Sequence, residues 1–167
     1  AQIPPTEIIV VSDGCEITNN IIKNTPKFKK IKLVELPKQP GNFCGAVAQA
    51  GIDAATGEYI RWLDTDDFLG TDDLYNMDIL LKQYNDPDFG YFDVIKYQGV
   101  NANKSISSQS TIVIIETKLE QDNIGNGMHV FKRSLDVSYA GCDGKRHDWL
   151  FIQRCLAKAK TVAKLQG

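Results

Sequence analysis

The first half of the chain alternates short apolar runs with segments of helical spacing, and this alternation limits the folds it can adopt. Residues 7–11, 31–36 and 59–63 are rich in β-branched or aromatic side chains, which predicts three strands. Apolar positions at helical spacing near residues 17–22, and small residues over 45–55, predict two helices between these strands. Strands that alternate with helices in this way predict an α/β fold with a layered sheet.

A third helix and a strand-rich second half follow. Thr71 is a candidate N-cap, and the helix that it opens has one apolar face. The residues of that face are Leu74, Met77, Leu81 and Tyr84. Further strands are predicted at residues 92–97, 111–115 and 128–132. An amphipathic helix over 148–165 is predicted to close the domain, and polar loops are predicted at 101–110 and 121–127.

Composition narrows the number of domains and the kinds of partner. A chain of 167 residues that is 43% hydrophobic is long enough for one core, so residues 1–167 are predicted to form a single domain. The net charge of −2, from 19 basic and 21 acidic residues, argues against nucleic acid as the main partner.

The cysteines and the apolar runs bear on the cellular location. The 4 cysteines are far apart in sequence, which suggests neither a zinc site nor a disulfide framework and favours a reduced, cytoplasmic setting. No apolar run approaches the roughly 20 residues needed to cross a bilayer. Association with a membrane through other segments stays open.

Three carboxylates directly follow the third predicted strand, which ends at Leu63. They belong to Asp64, Asp66 and Asp67, and ligands of open α/β sheets bind beyond the carboxyl ends of the strands. Carboxylates that meet at one strand end repel each other unless a cation lies between them. Oxygen ligands select a hard ion such as Mg²⁺ or Mn²⁺, and a diphosphate would complete its coordination.

A plainer interpretation of the same tetrapeptide is a solvated turn that leads into the helix at Thr71. The second acid that favours a site is Asp13, which ends the first predicted strand. If the two strands are parallel neighbours, both acids lie at one edge of the sheet.

Residues 7–15 read E-I-I-V-V-S-D-G-C, and residues 51–67 read G-I-D-A-A-T-G-E-Y-I-R-W-L-D-T-D-D. These two segments resemble, in register, the E-I-I-V-V-D-D-G-S and G-I-x-x-A-x-G-E-Y-I-x-x-L-D-x-D-D stretches of family 2 inverting glycosyltransferases. A looser match joins residues 127–133 and 146–149 to a strand with basic residues at its end and an E-D-W or E-D-Y motif. The resemblance covers about residues 7–155.

The resemblance implies a GT-A fold and transfer of a sugar, with inversion, from a nucleoside diphosphate sugar to a hydroxyl acceptor. UDP is the expected nucleotide, and the acceptor is a carbohydrate, lipid or protein. Carried over by position, Asp13 contacts the base, Asp66 the ribose side of the nucleotide, and Asp64 supports nucleotide binding. Asp67, with Asp66, binds Mn²⁺ or Mg²⁺, and Asp148 is the general base.

The chain departs from the family pattern at several points. The family begins with one more strand and helix, so the domain is expected to be incomplete at its N-terminus. Within the single catalytic domain that the resemblance implies, residues 1–84 are expected to bind the nucleotide and residues 85–167 are expected to bind the acceptor. Ala48 stands where the family has arginine, Ser12 where it has an acid, and His147 where it usually has glutamate.

Two alternatives stay open. A nucleotide-sugar-binding domain without turnover is suggested by the departures, and the presence of Asp13, Asp66, Asp67 and Asp148 argues against it. A sugar nucleotidyltransferase is expected to carry a glycine-rich basic loop, and residues 1–16 contain none.

Five other side chains permit two interpretations each. Lys132 and Arg133 fit phosphate contacts or a solvated strand end, and Trp149 fits sugar stacking or packing. His147 fits a polar residue before the helix or a role in acceptor contact or acidity tuning, and His129 fits a core or strand-face residue, which we expect, or a metal ligand.

Overall fold

The computed structural model describes residues 7–28, 30–38, 44–70, 72–98, 111–119, 124–142 and 146–166. Strands and helices alternate through the first half of this part of the chain, as the sequence predicts. The strands are β1 (Ile8–Asp13), β2 (Ile31–Leu36), β3 (Tyr59–Arg61), β4 (Phe89–Tyr91), β5 (Val94–Gln98), β6 (Thr111–Ile115), β7 (His129–Lys132) and β8 (Val162–Lys164). The α-helices are α1 (Glu16–Asn24), α2 (Gly45–Ala54), α3 (Asp73–Gln83) and α4 (His147–Lys158).

The strands form three hydrogen-bonded sheets. β1 and β2 pair in parallel, with Asp13 opposite Leu36 at their carboxyl ends. A second sheet has the order β3-β7-β4-β8, in which β7 is antiparallel to β3 and β4, and β8 is parallel to β4. β5 and β6 form a separate antiparallel pair. The fold is therefore mixed α/β, with β7 as the strand that joins early and late parts of the chain.

Helix α2 packs closely against two of these sheets because it is built from small residues. A Cβ on Gly51 would lie 3.5 Å from Val11 Cγ2 on β1 and 3.6 Å from Trp62 Cζ3 just after β3. These are ordinary van der Waals contacts, so the helix lies directly over both segments.

An aromatic cluster forms the main core beside β7 and α4. Tyr139 and Phe151 are fully buried and stack with ring centroids 4.5 Å apart. Trp62 lies 6.0 Å from Tyr139 and 6.5 Å from Phe131. Aromatic rings in such tilted and stacked pairs bury large apolar areas and add some attraction of their own. Trp62 is partly buried and packs against this core.

The structure corrects the prediction of one helix over 148–165. Helix α4 ends at Lys158, and β8 follows and pairs in parallel with β4. The carboxylate of Asp88 accepts hydrogen bonds from the backbone N–H groups of Lys160 (2.9 Å) and Thr161 (3.2 Å). Those bonds turn the chain, and Ala163, which lies within the range of the predicted helix, instead lies in β8.

Most of the other predicted elements are confirmed with shifted ends. β3 is shorter than the predicted 59–63, and the predicted strand over 92–97 is β5, which is preceded by the unpredicted β4. Thr71 and the loop 101–110 lie outside the described residues, as does part of the loop 121–127. Within the described ranges, no helix combines the length and the apolar character that crossing a membrane requires.

Candidate active site

The candidate site is centred on a tight turn that follows β3. The N–H of Asp67 donates to the carbonyl of Asp64 at 3.0 Å, which closes the turn. Asp64, Asp66 and Asp67 are all exposed. The turn lies just beyond the carboxyl end of β3, so the three carboxylates stand where ligands of α/β sheets bind.

Asp148 lies in the same electrostatic environment as this turn. Although Asp64 is exposed, nearby protein atoms still remove part of the hydration of its carboxylate, and this desolvation raises its pKa. The charges of Asp67, Asp66 and Asp148 raise this pKa further, whereas His147 lowers it. Asp148 occupies the first turn of α4, where its Oδ1 accepts the N–H of Trp149 at 2.8 Å. The fold therefore brings the expected general base to the acids that are expected to hold the donor.

A short turn, residues 125–128, lies between these two groups of acids. A Cβ on Gly127 would be 3.2 Å from Asp67 Oδ2, and one on Gly125 would be 3.7 Å from Asp148 Oδ2. The backbone of this 125–128 turn thus lies close to the carboxylates of both Asp67 and Asp148. The sequence analysis missed this feature and treated residues 121–127 as a loop. Two glycines before a strand were the available signal for a close backbone approach.

Asp13 lies at the carboxyl end of β1, where its Oδ2 is 3.3 Å from Lys38 Nζ. The turn after it requires glycine. Gly14 has φ +64°, and a Cβ there would meet the backbone N of Lys38 at 2.7 Å. Gly14 N–H also donates to Leu36 O at 2.9 Å. The turn fixes the direction in which the chain leaves β1 at Asp13.

The relation between Asp13 and the Asp64–Asp67 turn differs from the prediction of neighbouring strands. In the described residues β1 and β3 belong to different sheets and are not hydrogen-bonded to each other. They nevertheless run in the same direction. Glu7, just before β1, accepts a hydrogen bond from Gly57, just before β3, so the two strands start close together. Gly51 lies against Val11 near the end of β1 and against Trp62 just after β3, so the two strands also end close together. Both acids therefore leave their strands at the same end of the molecule.

The carboxylates of the Asp64–Asp67 turn can bind a metal ion only if the substrate supplies further ligands. Among the residues that the structure describes, no three His, Cys, Asp or Glu side chains are arranged to hold a metal. Mg²⁺ is commonly bound through one or two carboxylates together with substrate phosphates. The Asp64–Asp67 turn has the chemistry for such a shared ion. Desolvation is the main cause of the raised pKa of Asp64, and the neighbouring negative charges, which a cation would offset, add to it.

Lys132 and Arg133 lie away from this site. Lys132 pairs with Tyr59 at the start of β3, opposite to the end that leads to Asp64. Its Nζ is 3.3 Å from Asp88 Oδ1. Arg133 Nε donates to the carbonyl of Gly57 at 3.1 Å. Both side chains hold the strand ends together, which favours the structural interpretation over phosphate binding.

The side chains beside Asp148 have packing roles as well. His147 lies 6.2 Å from the Tyr139 ring, measured between centroids. Trp149 is partly buried against the aromatic cluster. The expectation that His129 belongs to the core is confirmed, since this residue is fully buried.

The cysteines differ in access to solvent. Cys15 is exposed, and hydrogen bonds from Thr18, including the hydroxyl at 3.2 Å, lower the pKa of its thiol. Cys142 and Cys155 are buried, and burial raises the pKa of Cys155 to about 12. Cys44 is partly exposed.

Comparisons with known proteins agree with the geometry. The family model described as glycosyl transferase family 2 matches residues 1–135. A curated Haemophilus influenzae protein, described as an uncharacterized glycosyltransferase, is 29% identical over 161 residues, which is 92% of this chain and 61% of that protein. The chain thus spans about three-fifths of the length of this relative.

Solved structures of S. aureus TarS have a similar fold. TarS 1–349 superposes with a TM-score of 0.70 at 19% identity, covering 98% of this chain and 50% of that one. The same TarS fragment in complex with UDP-GlcNAc gives a TM-score of 0.68 at 19% identity, with 98% and 49% of the two chains covered. At this identity the likeness concerns the fold.

Proposed function

This chain belongs to glycosyl transferase family 2 and has the GT-A fold, and on that basis we propose that it forms the catalytic domain of a glycosyltransferase. The proposed reaction moves a sugar from a nucleoside diphosphate sugar to a hydroxyl group of a carbohydrate, lipid or protein. The observation that carries the proposal is that the 125–128 turn lies against both Asp67 and Asp148, so that Asp148 is close to the Asp64–Asp67 turn. A general base and a donor-binding turn are both needed at one place for this chemistry.

The proposed donor is a UDP-sugar. A TarS fragment of similar fold has been solved in complex with UDP-GlcNAc, which supports a nucleotide sugar of this class. Asp13 is assigned to the base and Asp66 to the ribose side, with Asp64 supporting the nucleotide. Their strands end at the same side of the molecule, as one bound nucleotide would require. Residues 1–84 would then form most of the donor half, and residues 85–167 the acceptor half.

Asp67 and Asp66 are the proposed ligands of Mn²⁺ or Mg²⁺. Both are exposed on the turn and can share the ion with the diphosphate. When bound, such an ion neutralises the charge that develops on the departing nucleoside diphosphate.

Asp148 is the proposed general base. It accepts the proton of the acceptor hydroxyl as that oxygen forms a bond to the anomeric carbon. The bond from that carbon to the diphosphate oxygen breaks, and the electron pair leaves with the nucleoside diphosphate. Attack from the face opposite to the leaving group inverts the anomeric configuration. General-base catalysis of this kind contributes about 10²–10⁴-fold to rate.

The division of roles is tested by two substitutions in the full-length protein. Asp67→Ala is expected to abolish Mn²⁺-dependent binding of UDP, because it removes a proposed metal ligand. Asp148→Asn is expected to leave that binding nearly intact and to lower turnover about 10²–10⁴-fold. Binding is measured by calorimetric titration of UDP and GDP with Mn²⁺ or with chelator, and turnover by hydrolysis of their sugar conjugates.

Equal loss of nucleotide binding in both variants would contradict the assigned roles. Metal-dependent binding by the unaltered protein without hydrolysis or transfer would instead support a binding domain that lacks turnover.

A further inference from the structure

His129 is a polar residue in the most apolar part of the molecule. It is fully buried, and its ring stacks on Phe89 with centroids 5.4 Å apart and planes 19° apart. Phe131 and Phe151 lie 6.0 Å and 6.3 Å away. Burial lowers the pKa of His129 to about 4, so the imidazole is neutral at physiological pH.

The hydrogen bonding of this ring is one-sided. Nδ1 lies 3.1 Å from the carbonyl oxygen of Gly125. Because a carbonyl only accepts, the neutral ring carries its proton on Nδ1 and donates it to Gly125. Nε2 is then a buried acceptor without a partner among the described residues, which is unfavourable. A phenylalanine would fill the same space without that loss, so the bond from Nδ1 is the feature that histidine adds.

That bond reaches the 125–128 turn, which contacts the two proposed reaction centres. Gly125 O also accepts the N–H of Met128 at 3.1 Å, and Met128 O accepts the N–H of Phe92 at 3.1 Å. The turn is therefore anchored to the core at one carbonyl and to the segment after β4 at another. Between these anchors, Gly127 abuts Asp67 while Gly125 abuts Asp148.

We propose that His129 is a positioning residue, whose hydrogen bond to Gly125 O holds the 125–128 turn between Asp67 and Asp148 and so sets their separation. This inference rests on the proposed transferase function. In an in-line displacement the base and the donor must be held at a fixed spacing, and a misplacement of about 1 Å can lower the rate about 100-fold. Because His129 is fully buried, the proposed role acts through the turn and involves no contact of His129 with substrate.

A matched pair of amide variants isolates the hydrogen bond. In His129→Asn the side-chain N–H₂ occupies the same position along the side chain as Nδ1, so it can still donate to Gly125 O. In His129→Gln the amide is one bond further out, at the position of Nε2. Both variants lose the aromatic ring, and the two should lose similar stability.

The measurements are made on the full-length protein with Mn²⁺ and UDP-GlcNAc as the probe donor. For His129→Gln we expect a fall in kcat for donor hydrolysis of about 10- to 100-fold, with a donor KM within about threefold of the unaltered protein. His129→Asn should regain most of that rate. Thermal unfolding midpoints show whether the two variants are equally stable. Equal kcat for Asn and Gln, at equal stability, would overturn the inference.

Amide hydrogen exchange over residues 124–128 provides a measurement that does not depend on activity. Exchange is expected to be faster in His129→Gln than in His129→Asn, because only the latter keeps the anchor. Equal exchange in the two variants would overturn the positioning role even if the unaltered protein hydrolyses no donor. Absence of hydrolysis by the unaltered protein would contradict the proposed function alone.

Discussion

At the scale of single residues, the backbone of Gly127 packs tightly against the carboxylate of Asp67. Gly127 faces Asp67 so closely that a methyl group would lie 3.2 Å from Oδ2, whereas Gly125 leaves 3.7 Å to Asp148. The first distance requires the neighbour to move, and the second is an ordinary contact. A methyl group at Gly127 would therefore displace the carboxylate of Asp67, whereas one at Gly125 would leave the carboxylate of Asp148 in place.

Gly127→Ala is expected to weaken Mn²⁺-dependent UDP binding about three- to tenfold, because the added methyl displaces the carboxylate of Asp67. Gly125→Ala is the matched control, and its effect on binding should be within about twofold. Calorimetric titration measures both. Equal weakening by the two substitutions would show that the contact with Asp67 is not the cause.

The acids of the site were predictable from sequence, and the residues that position them were not. The apolar run before Asp64, Asp66 and Asp67 is a local pattern that indicated these three acids, whereas Asp148 was indicated by the resemblance to the family's E-D-W or E-D-Y motif. The importance of His129 depends on Gly125 four residues earlier and on rings from β4 and α4. Contacts of that kind arise from tertiary packing, and periodicity does not encode them.

At the scale of elements, the carboxylate of Asp88 holds the turn between the end of helix α4 and the start of β8. Asp88 accepts the N–H groups of Lys160 and Thr161, and its own N–H donates to the hydroxyl of Thr161 at 2.9 Å. The bond from Lys160 is the principal cause of a lowered pKa for Asp88, and bonds from Lys132 and Thr161 add to it.

Asp88→Ala is expected to lower the free energy of unfolding by about 1–2 kcal/mol at neutral pH, since it removes several hydrogen bonds to a carboxylate. The exposed pair of Asp78 with Lys82 offers a control, and Asp78→Ala should change stability by no more than about 0.5 kcal/mol. Chemical denaturation measures both.

The effect of Asp88 should also depend on pH. Because its folded pKa is depressed, its stabilising contribution is present above the unfolded value of about 3.8 and is lost as pH falls through the folded value. The difference between the unaltered protein and Asp88→Ala should therefore narrow in that acidic range. A difference that stays constant there would contradict the assignment.

Element types were largely predictable, and element ends and pairings less so. The apolar runs of β1 and β2 and the stripe of α3 are local signals, which explains their success. The predicted C-terminal helix failed because Asp88, more than 70 residues earlier in the chain, supplies the hydrogen bonds that end it. Pairing of β8 with β4 is likewise a long-range event.

At the scale of the whole molecule, Glu7 links the β1–β2 sheet to the sheet that contains β3. Its Oε1 accepts the hydroxyl of Thr56 at 2.9 Å and the N–H of Gly57 at 3.0 Å. Helix α2 packs on β1 and on the segment after β3. Together, this helix and the Glu7 carboxylate keep Asp13 at the same end of the molecule as the Asp64–Asp67 turn.

Glu7→Ala is expected to speed amide hydrogen exchange in β1 while leaving exchange in β7 nearly unchanged, because it releases one sheet from the other. Glu58→Ala is the control, since it removes an exposed carboxylate beside the same loop without removing the bonds at Thr56 and Gly57. Faster exchange in β7 as well would indicate general destabilisation in place of a loosened link.

The unequal chemistry of the cysteines has a practical consequence. Cys15 is exposed and has a lowered thiol pKa, whereas Cys142 and Cys155 are buried. With Cys44 replaced by serine, a maleimide fluorophore should therefore attach at Cys15 alone. The dye would sit two residues from Asp13, the proposed contact of the base, so on that proposal its emission would report the arrival of a nucleobase optically and rank candidate donors before any acceptor is known.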